Sequence, residues 1–307
     1  MTAHAVAAID CGTNSTRLLV VDGQGRPQQR LMRITRLGEG VDATGTLAPA
    51  AITRCMTVLA EYRQVMADLG VTQARMVATS AVRDAANGAD FLAAASSTVG
   101  VPAELLSGVD EGRLSLRGAI TELDPSTGPF VVLDIGGGST ELVAGSGPDD
   151  PRLAAVSLQL GCVRLTERCV TSDPPAPAEL DAARAMAATS LEDALATEPG
   201  LLGARRLVGL AGTVATLSSL QQGLATYDRD LVHHSVLTVV EVAAWAQQLG
   251  RETHRDRLAR PGMVAGREDV IVAGAIILET VMTRLGFDQC LVSEADILDG
   301  MVAELLA

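Results

Sequence analysis

The sequence predicts an α/β fold made of two related halves with mixed sheets. Two observations carry this expectation. An apolar strand ending in Asp, a glycine and hydroxyl turn, and a returning apolar strand occur twice, from Ala5 to Asp22 and from Phe130 to Val143. After each copy, short apolar strands alternate with amphipathic helices, the pattern of a largely parallel core. Two such hairpins suggest halves that face each other across a central cleft. The Asp124-Pro125-Ser126-Thr127-Gly128-Pro129 link divides the chain into domains 1–124 and 125–307.

In the first half, the hairpin turn Gly12-Thr13-Asn14-Ser15 is followed by an extended segment from Gln29 to Arg36. Pro49 suits a first helical turn. From there Ile52, Cys55, Met56, Leu59, Val65, Met66 and Leu69 recur at three and four residues until Gly70 ends the helix. Arg75 to Val82 reads as a strand entering the polar turn Arg83-Asp84-Ala85-Ala86-Asn87. A helix through Phe91 and Leu92 and a short strand from Val101 to Leu106 come next. Ser107-Gly108-Val109-Asp110 has N-cap spacing, with Asp110 as the cap and Glu111 in the first turn of the helix.

The second half opens at Phe130. Val156 to Gly161 is extended, and an Ala-rich helix from Ala178 to Thr197 follows Pro174-Pro175-Ala176-Pro177. Leu207 to Thr213 is a strand entering a glycine turn that continues as a helix to Leu220. Helices from Val239 to Leu249 and from Glu268 to Leu285, a strand from Gln289 to Ser293 and a helix from Ile297 to Leu306 complete the chain. The terminal helix is free to pack back on the first domain. The apolar helix from Glu268 reads as core, with a homodimer interface as its alternative.

Of the 307 residues, 48% are hydrophobic but only 2% aromatic, so the core is aliphatic, and the low aromatic content argues against base-stacking platforms for single-stranded nucleic acid. A net charge of −13 argues against nucleic acid or an anionic membrane as a general partner. An anionic substrate then needs a local positive field. No apolar run reaches membrane-span length, and no basic stretch precedes the first apolar segment, so neither a membrane anchor nor a signal peptide is expected. Cys11, Cys55, Cys162, Cys169 and Cys290 are odd in number and widely spaced, forming neither a disulfide framework nor a zinc pattern; a reducing cytoplasm is the simplest setting. His233, His234 and His254 lack ligand spacing and read as ordinary histidines.

The second hairpin carries the clearest chemistry. Its strand ends on Asp134; Gly136, Gly137, Gly138 and Ser139 form the turn; Glu141 stands on the far side. Glycines let the backbone approach a ligand, and successive free amides can cradle phosphate oxygens. Two flanking carboxylates suit a divalent cation, the combination phosphoryl transfer needs. The alternative is a hairpin whose glycines only satisfy turn geometry.

Seven stretches in order resemble the Ppx/GppA family, the exopolyphosphatases and guanosine pentaphosphate phosphohydrolases of the actin, Hsp70 and sugar-kinase (ASKHA) superfamily. They are Ile9-Asp10-Cys11-Gly12-Thr13-Asn14-Ser15, Arg36-Leu37-Gly38-Glu39-Gly40, Ala78-Thr79-Ser80-Ala81-Val82-Arg83-Asp84-Ala85, Ser107-Gly108-Val109-Asp110-Glu111, Asp134 to Leu142, Gly209-Leu210-Ala211-Gly212-Thr213 and Gly266-Arg267-Glu268-Asp269-Val270. The length looks like the short, two-domain form of actinobacterial members. Where the family usually has two glutamates and an alanine, this chain has Asp110-Glu111-Gly112.

The resemblance implies two actin-like, ribonuclease-H-like domains and a metal-dependent phosphohydrolase. It implies Glu111 as the general base that orients the attacking water. Asp134, Glu141 and Asp10 would hold Mg²⁺ or Mn²⁺. Gly12, Thr13, Asn14, Ser15, Arg83, Gly136, Gly137, Gly138, Ser139, Gly212 and Thr213 would contact phosphates. Arg17 could face either way, and Arg267 is a further candidate for a distal phosphate or base. The expected substrate is inorganic polyphosphate, with guanosine pentaphosphate as the alternative. An ASKHA-type kinase and a non-catalytic nucleotide sensor or filament-forming protein are the rivals from other classes.

Overall fold

The computed structural model describes residues 4–307; the N-terminal reading above begins at residues 1–3, which lie outside the described residues. Two compact units result. The first comprises the chain up to Gly118 together with Asp296–Ala307, and the second comprises Ala119–Ala295. The Asp124 to Pro129 link lies within the second unit.

The first unit contains β1 (Ala5–Cys11), β2 (Ser15–Val21), β3 (Pro27–Ile34), α1 (Val41–Thr44), α2 (Pro49–Asp68), β4 (Val71–Ala78), α3 (Ser80–Arg83), α4 (Gly88–Val99), β5 (Ala103–Leu105) and α5 (Gly108–Ile120). The strand order is β3-β2-β1-β4-β5. β1 runs antiparallel to β2 and parallel to β4, so the sheet is mixed. β1 is buried along its whole length, which explains its unbroken apolar run. Its odd positions Ala5, Ala7, Ile9 and Cys11 pack with Cys55, Leu59 and Tyr62 of α2. Val6 and Ala8 face the other way, into a cluster with Leu114 of α5 and Ile297, Leu298, Met301 and Val302 of the terminal helix α13 (Ile297–Leu306). Period-two alternation therefore puts Asp10 on the face shared by α5 and α13.

The second unit contains β6 (Phe130–Ile135), β7 (Thr140–Gly145), β8 (Ala154–Leu158), α6 (Cys162–Cys169), α7 (Pro177–Thr197), β9 (Arg206–Leu210), α8 (Ala211–Gln221), α9 (Arg229–Val232), β10 (Val236–Thr238), α10 (Val239–Leu249), α11 (His254–Leu258), α12 (Ile271–Leu285) and β11 (Gln289–Val292). The strand order is β10-β11-β9-β6-β7-β8. Val131, Leu133, Ile135, Leu142 and Ala144 join α7, α8, α10 and α12 in one large aliphatic core. Asp134 and Glu141 alternate with these residues and so point away from that core. α12 is nearly all buried, which places it in the core.

The segment that follows β4 differs from the sequence expectation. Arg75 to Val82 is not a continuous strand: β4 stops at Ala78, and Ser80–Arg83 is a helical turn. The Asp84 amide bonds the Ser80 carbonyl (2.9 Å), and Gly88 lies so close to the Val82 carbonyl that a Cβ there would stand 2.3 Å away. Tertiary seating overrides the β propensity of this segment.

Candidate functional site

The two hairpin turns are built alike. In the first, the Gly12 amide bonds the Ser15 carbonyl (3.0 Å), and in the second the Gly136 amide bonds the Ser139 carbonyl (3.0 Å). The turn carbonyls are tied down from behind. Thr13 accepts from the Gly38 amide (2.9 Å), and Asn14 accepts from the amides of Thr35 (3.1 Å) and Arg36 (2.9 Å). Gly136 accepts from the Cys162 amide (2.9 Å), and Gly137 from those of Val163 (2.9 Å) and Arg164 (3.1 Å). Arg164 Nε also donates to the Gly138 carbonyl (2.7 Å).

With the carbonyls occupied, the amides of Thr13, Asn14, Gly137 and Gly138 donate to no backbone acceptor among the described residues. Consecutive amides left over in a fixed turn are what an anion cradle requires. Each turn is backed by a closely packed glycine, against side chains at Gly38 and against backbone at Gly161. A Cβ on Gly38 would stand 2.3 Å from Thr13 Cγ2, and one on Gly161 would stand 2.3 Å from the Gly137 oxygen.

The strand ends carry the carboxylates. Asp10 and Arg17 are cross-strand partners in the first hairpin, and Asp134 and Glu141 occupy the equivalent positions in the second. Arg17 therefore faces Asp10: its Nε (3.0 Å) and Nη2 (2.6 Å) both donate to Asp10 Oδ2. Burial pushes the Asp10 carboxyl up and the Arg17 guanidinium opposes it. Asp10 Oδ1 is buried with no hydrogen-bond partner. In the second hairpin both members are acidic and buried, and Glu141 Oε1 accepts from Ser157 Oγ (2.7 Å). Like charges directly opposite on neighbouring strands repel. A divalent cation removes that cost, so this donor set fits Mg²⁺ or Mn²⁺.

Glu111 is buried in the first turn of α5. The cap differs from expectation. Ser107 Oγ accepts the Asp110 amide (3.1 Å) and donates to Asp110 Oδ2 (2.7 Å), so Ser107 caps and Asp110 reaches back. Arg83 Nη1 donates to the Leu106 carbonyl (2.9 Å) and lies 3.5 Å from Glu111 Oε2. Its Nη2 is buried without a hydrogen-bond partner. Arg83 and Glu111 are thus neighbours.

Gly212 and Thr213 sit in the first turn of α8, after Ala211 at φ 69°. The Arg267 guanidinium packs against this turn, where a Cβ on Gly212 would be 1.5 Å from Arg267 Nη1. The fold brings Arg267 to the same point of the second unit as Gly212.

The chain also gathers groups that sequence spacing did not suggest. Glu122, His233 and His234 have ligand atoms within 4.8 Å of one another. His233 Nδ1 accepts the Glu294 amide (3.0 Å), which leaves the proton on Nε2, 3.1 Å from Glu122 Oε2. In that tautomer neither ring nitrogen of His233 offers a free lone pair to a metal. All five cysteines are buried and free. No helix among the described residues is long and apolar enough to cross a membrane.

A sequence profile of the Ppx/GppA phosphatase family matches residues 20–307. Exopolyphosphatase 2 of Mycobacterium tuberculosis is 45% identical, covering 98% of this chain and 98% of its own. Guanosine-5'-triphosphate,3'-diphosphate pyrophosphatase of Vibrio cholerae is 29% identical over 98% of this chain and 59% of its own length. Among solved structures, the Ppx/GppA family member of Aquifex aeolicus superposes with a TM-score of 0.80 at 30% identity, covering 99% of this chain and 98% of that one.

Proposed function

Since the chain belongs to the Ppx/GppA phosphatase family, we propose that it is an exopolyphosphatase that releases orthophosphate from the end of inorganic polyphosphate. The observation that carries this is the buried Asp134–Glu141 pair beside a glycine turn whose carbonyls are all engaged from behind. Such a turn offers amides to phosphate oxygens, and the two acids offer a cation seat.

In this reading the turn amides of both hairpins and Arg83 bind and orient the polyanion. Asp134 and Glu141, with Asp10, would be the donors for Mg²⁺ or Mn²⁺, which would supply charge neutralisation for phosphoryl transfer. Glu111 orients a water and takes its proton as the water oxygen bonds to the terminal phosphorus. The P–O bond of the anhydride breaks, and the shortened chain leaves with the bridging oxygen. Most of the rate enhancement comes from positioning and charge neutralisation rather than covalent chemistry. Gly212, Thr213 and Arg267 serve a more distal part of the substrate. Buried free thiols suit a reducing cytoplasm.

The second reading, removal of the 5′-phosphate of guanosine pentaphosphate, is favoured by the likeness to the Vibrio cholerae protein. Phosphate release measured side by side from polyphosphate, guanosine pentaphosphate and ATP with Mg²⁺ decides between them. Efficient release from polyphosphate is expected. Transfer of labelled phosphate to an acceptor other than water indicates a kinase, and tight nucleotide binding without release indicates a sensor.

A further inference from the structure

We propose that Asp296, the N-cap of the terminal helix, is a positioning residue for hydrolysis: it holds Asp10 through Arg17 and seats the helix of Glu111 through its own backbone. This rests on the functional reading above.

Arg17 gives Nε and Nη2 to Asp10 Oδ2, and it gives Nη1 to Asp296 Oδ2 at 2.5 Å. The guanidinium is held at both ends and is not free to turn to a ligand. Asp296 is itself fixed. Its Oδ1 accepts the Leu298 amide (2.9 Å), its amide donates to Asp299 Oδ2 (2.8 Å), and Arg30 lies 3.8 Å from Oδ1. Arg30 in turn meets Asp299 Oδ1 at 2.5 Å. The cluster thus sets the carboxylates of Asp10, Asp296 and Asp299 against the guanidiniums of Arg17 and Arg30. The oxygen without a hydrogen-bond partner is Asp10 Oδ1. One oxygen of Asp10 is anchored so that the other is presented.

The backbone contact is independent of this relay. A Cβ on Gly118 would stand 1.9 Å from the Asp296 carbonyl oxygen, and one on Gly300 would stand 2.1 Å from that of Leu114. The helices α5 and α13 therefore meet backbone to backbone, and Gly118 lies about two turns beyond Glu111 in α5. One residue touches both the hairpin of Asp10 and the helix of Glu111.

Asp296→Asn tests the relay, because Asn still caps the helix while removing the charge that holds Arg17. On polyphosphate its kcat is expected to fall roughly 10- to 100-fold, with KM within about twofold and the urea midpoint near that of the unaltered chain. Mn²⁺ affinity, read by electron paramagnetic resonance without substrate, should weaken roughly tenfold. Arg17→Lys should give a similar loss, since one ammonium does not span both carboxylates. The double variant should be no worse than Arg17→Lys alone, the mark of residues acting as a unit. Additive losses, or Asp296→Asn with unaltered kcat and Mn²⁺ affinity, overturn the inference. An unaltered chain that releases no phosphate overturns the functional reading instead, while Mn²⁺ affinity across the three variants still tests the relay.

Discussion

Asp134 and Glu141 stand directly opposite each other on antiparallel strands, 7% and 1% exposed. At the matching place in the first hairpin, Asp10 faces Arg17. The same architectural position thus carries an acid–arginine pair in one unit and two acids in the other. In the proposed function the second hairpin is therefore the cation's main seat. Asp134→Asn should raise the Mg²⁺ concentration for half-maximal activity at least roughly tenfold. Mg²⁺ should also raise the melting temperature of the unaltered chain, because it binds only the folded state, and raise that of the variant much less. Equal stabilisation of both proteins by Mg²⁺ would remove the cation from this pair.

Glu111 tests the hydrolytic step itself. Its carboxylate is buried and lies 3.5 Å from Arg83 Nη1. Glu111→Gln keeps the shape and removes the proposed base. It should lower kcat roughly 100-fold or more, on the usual worth of general base catalysis, with substrate affinity retained. Equilibrium binding of polyphosphate alongside single-turnover phosphate release separates the two quantities. A variant that turns over normally means the water is oriented by another group.

The pH dependence of stability has a clear contributor away from the site. Hydrogen bonds from the Ser172 and Thr171 hydroxyls and from the Ala176 and Thr171 amides hold the Glu179 carboxyl down to about 2. A depressed carboxyl stabilises the fold fully above its unfolded value, near 4.5, and that contribution is lost as pH falls toward about 2. Urea midpoints of the unaltered chain and of Glu179→Gln should therefore differ most at neutral pH and converge between about pH 4.5 and pH 2. A gap that stays constant across that window would show that the ionised form gains nothing from these donors.

Local signals made the hairpins legible. Asp10, Gly12, Asp134 and Glu141 lie within a few residues of one another in each copy, and strand alternation fixes which side chains share a face. The Ser80–Arg83 turn and the three-residue β10 were not legible, because short elements take their conformation from what they pack on. Nor was the role of Asp296 legible, since its partner Arg17 is 279 positions away. The same holds for Glu122 and His233, which are 111 positions apart. The family resemblance supplied Glu111, which by position alone is only an acid at a helix start.

The last prediction concerns the glycines behind the turns. Gly161 contributes no side chain and contacts no ligand in the proposed mechanism, yet a Cβ there would stand 2.3 Å from the Gly137 oxygen and 2.6 Å from the Gly138 nitrogen. Both neighbours are backbone, so the turn itself must move. Gly161→Ala should therefore weaken substrate binding and catalysis together, lowering kcat/KM roughly 100-fold, the scale set by misplacing catalytic groups by about 1 Å. Gly147→Ala is the control, because nothing lies within 4 Å of a Cβ there and its backbone is not in the left-handed region. That variant should keep unaltered kinetics. If Gly161→Ala folds and hydrolyses polyphosphate as well as Gly147→Ala does, the shape of the Gly136 to Ser139 turn does not matter for phosphate binding, and the cradle has to be sought elsewhere in the chain.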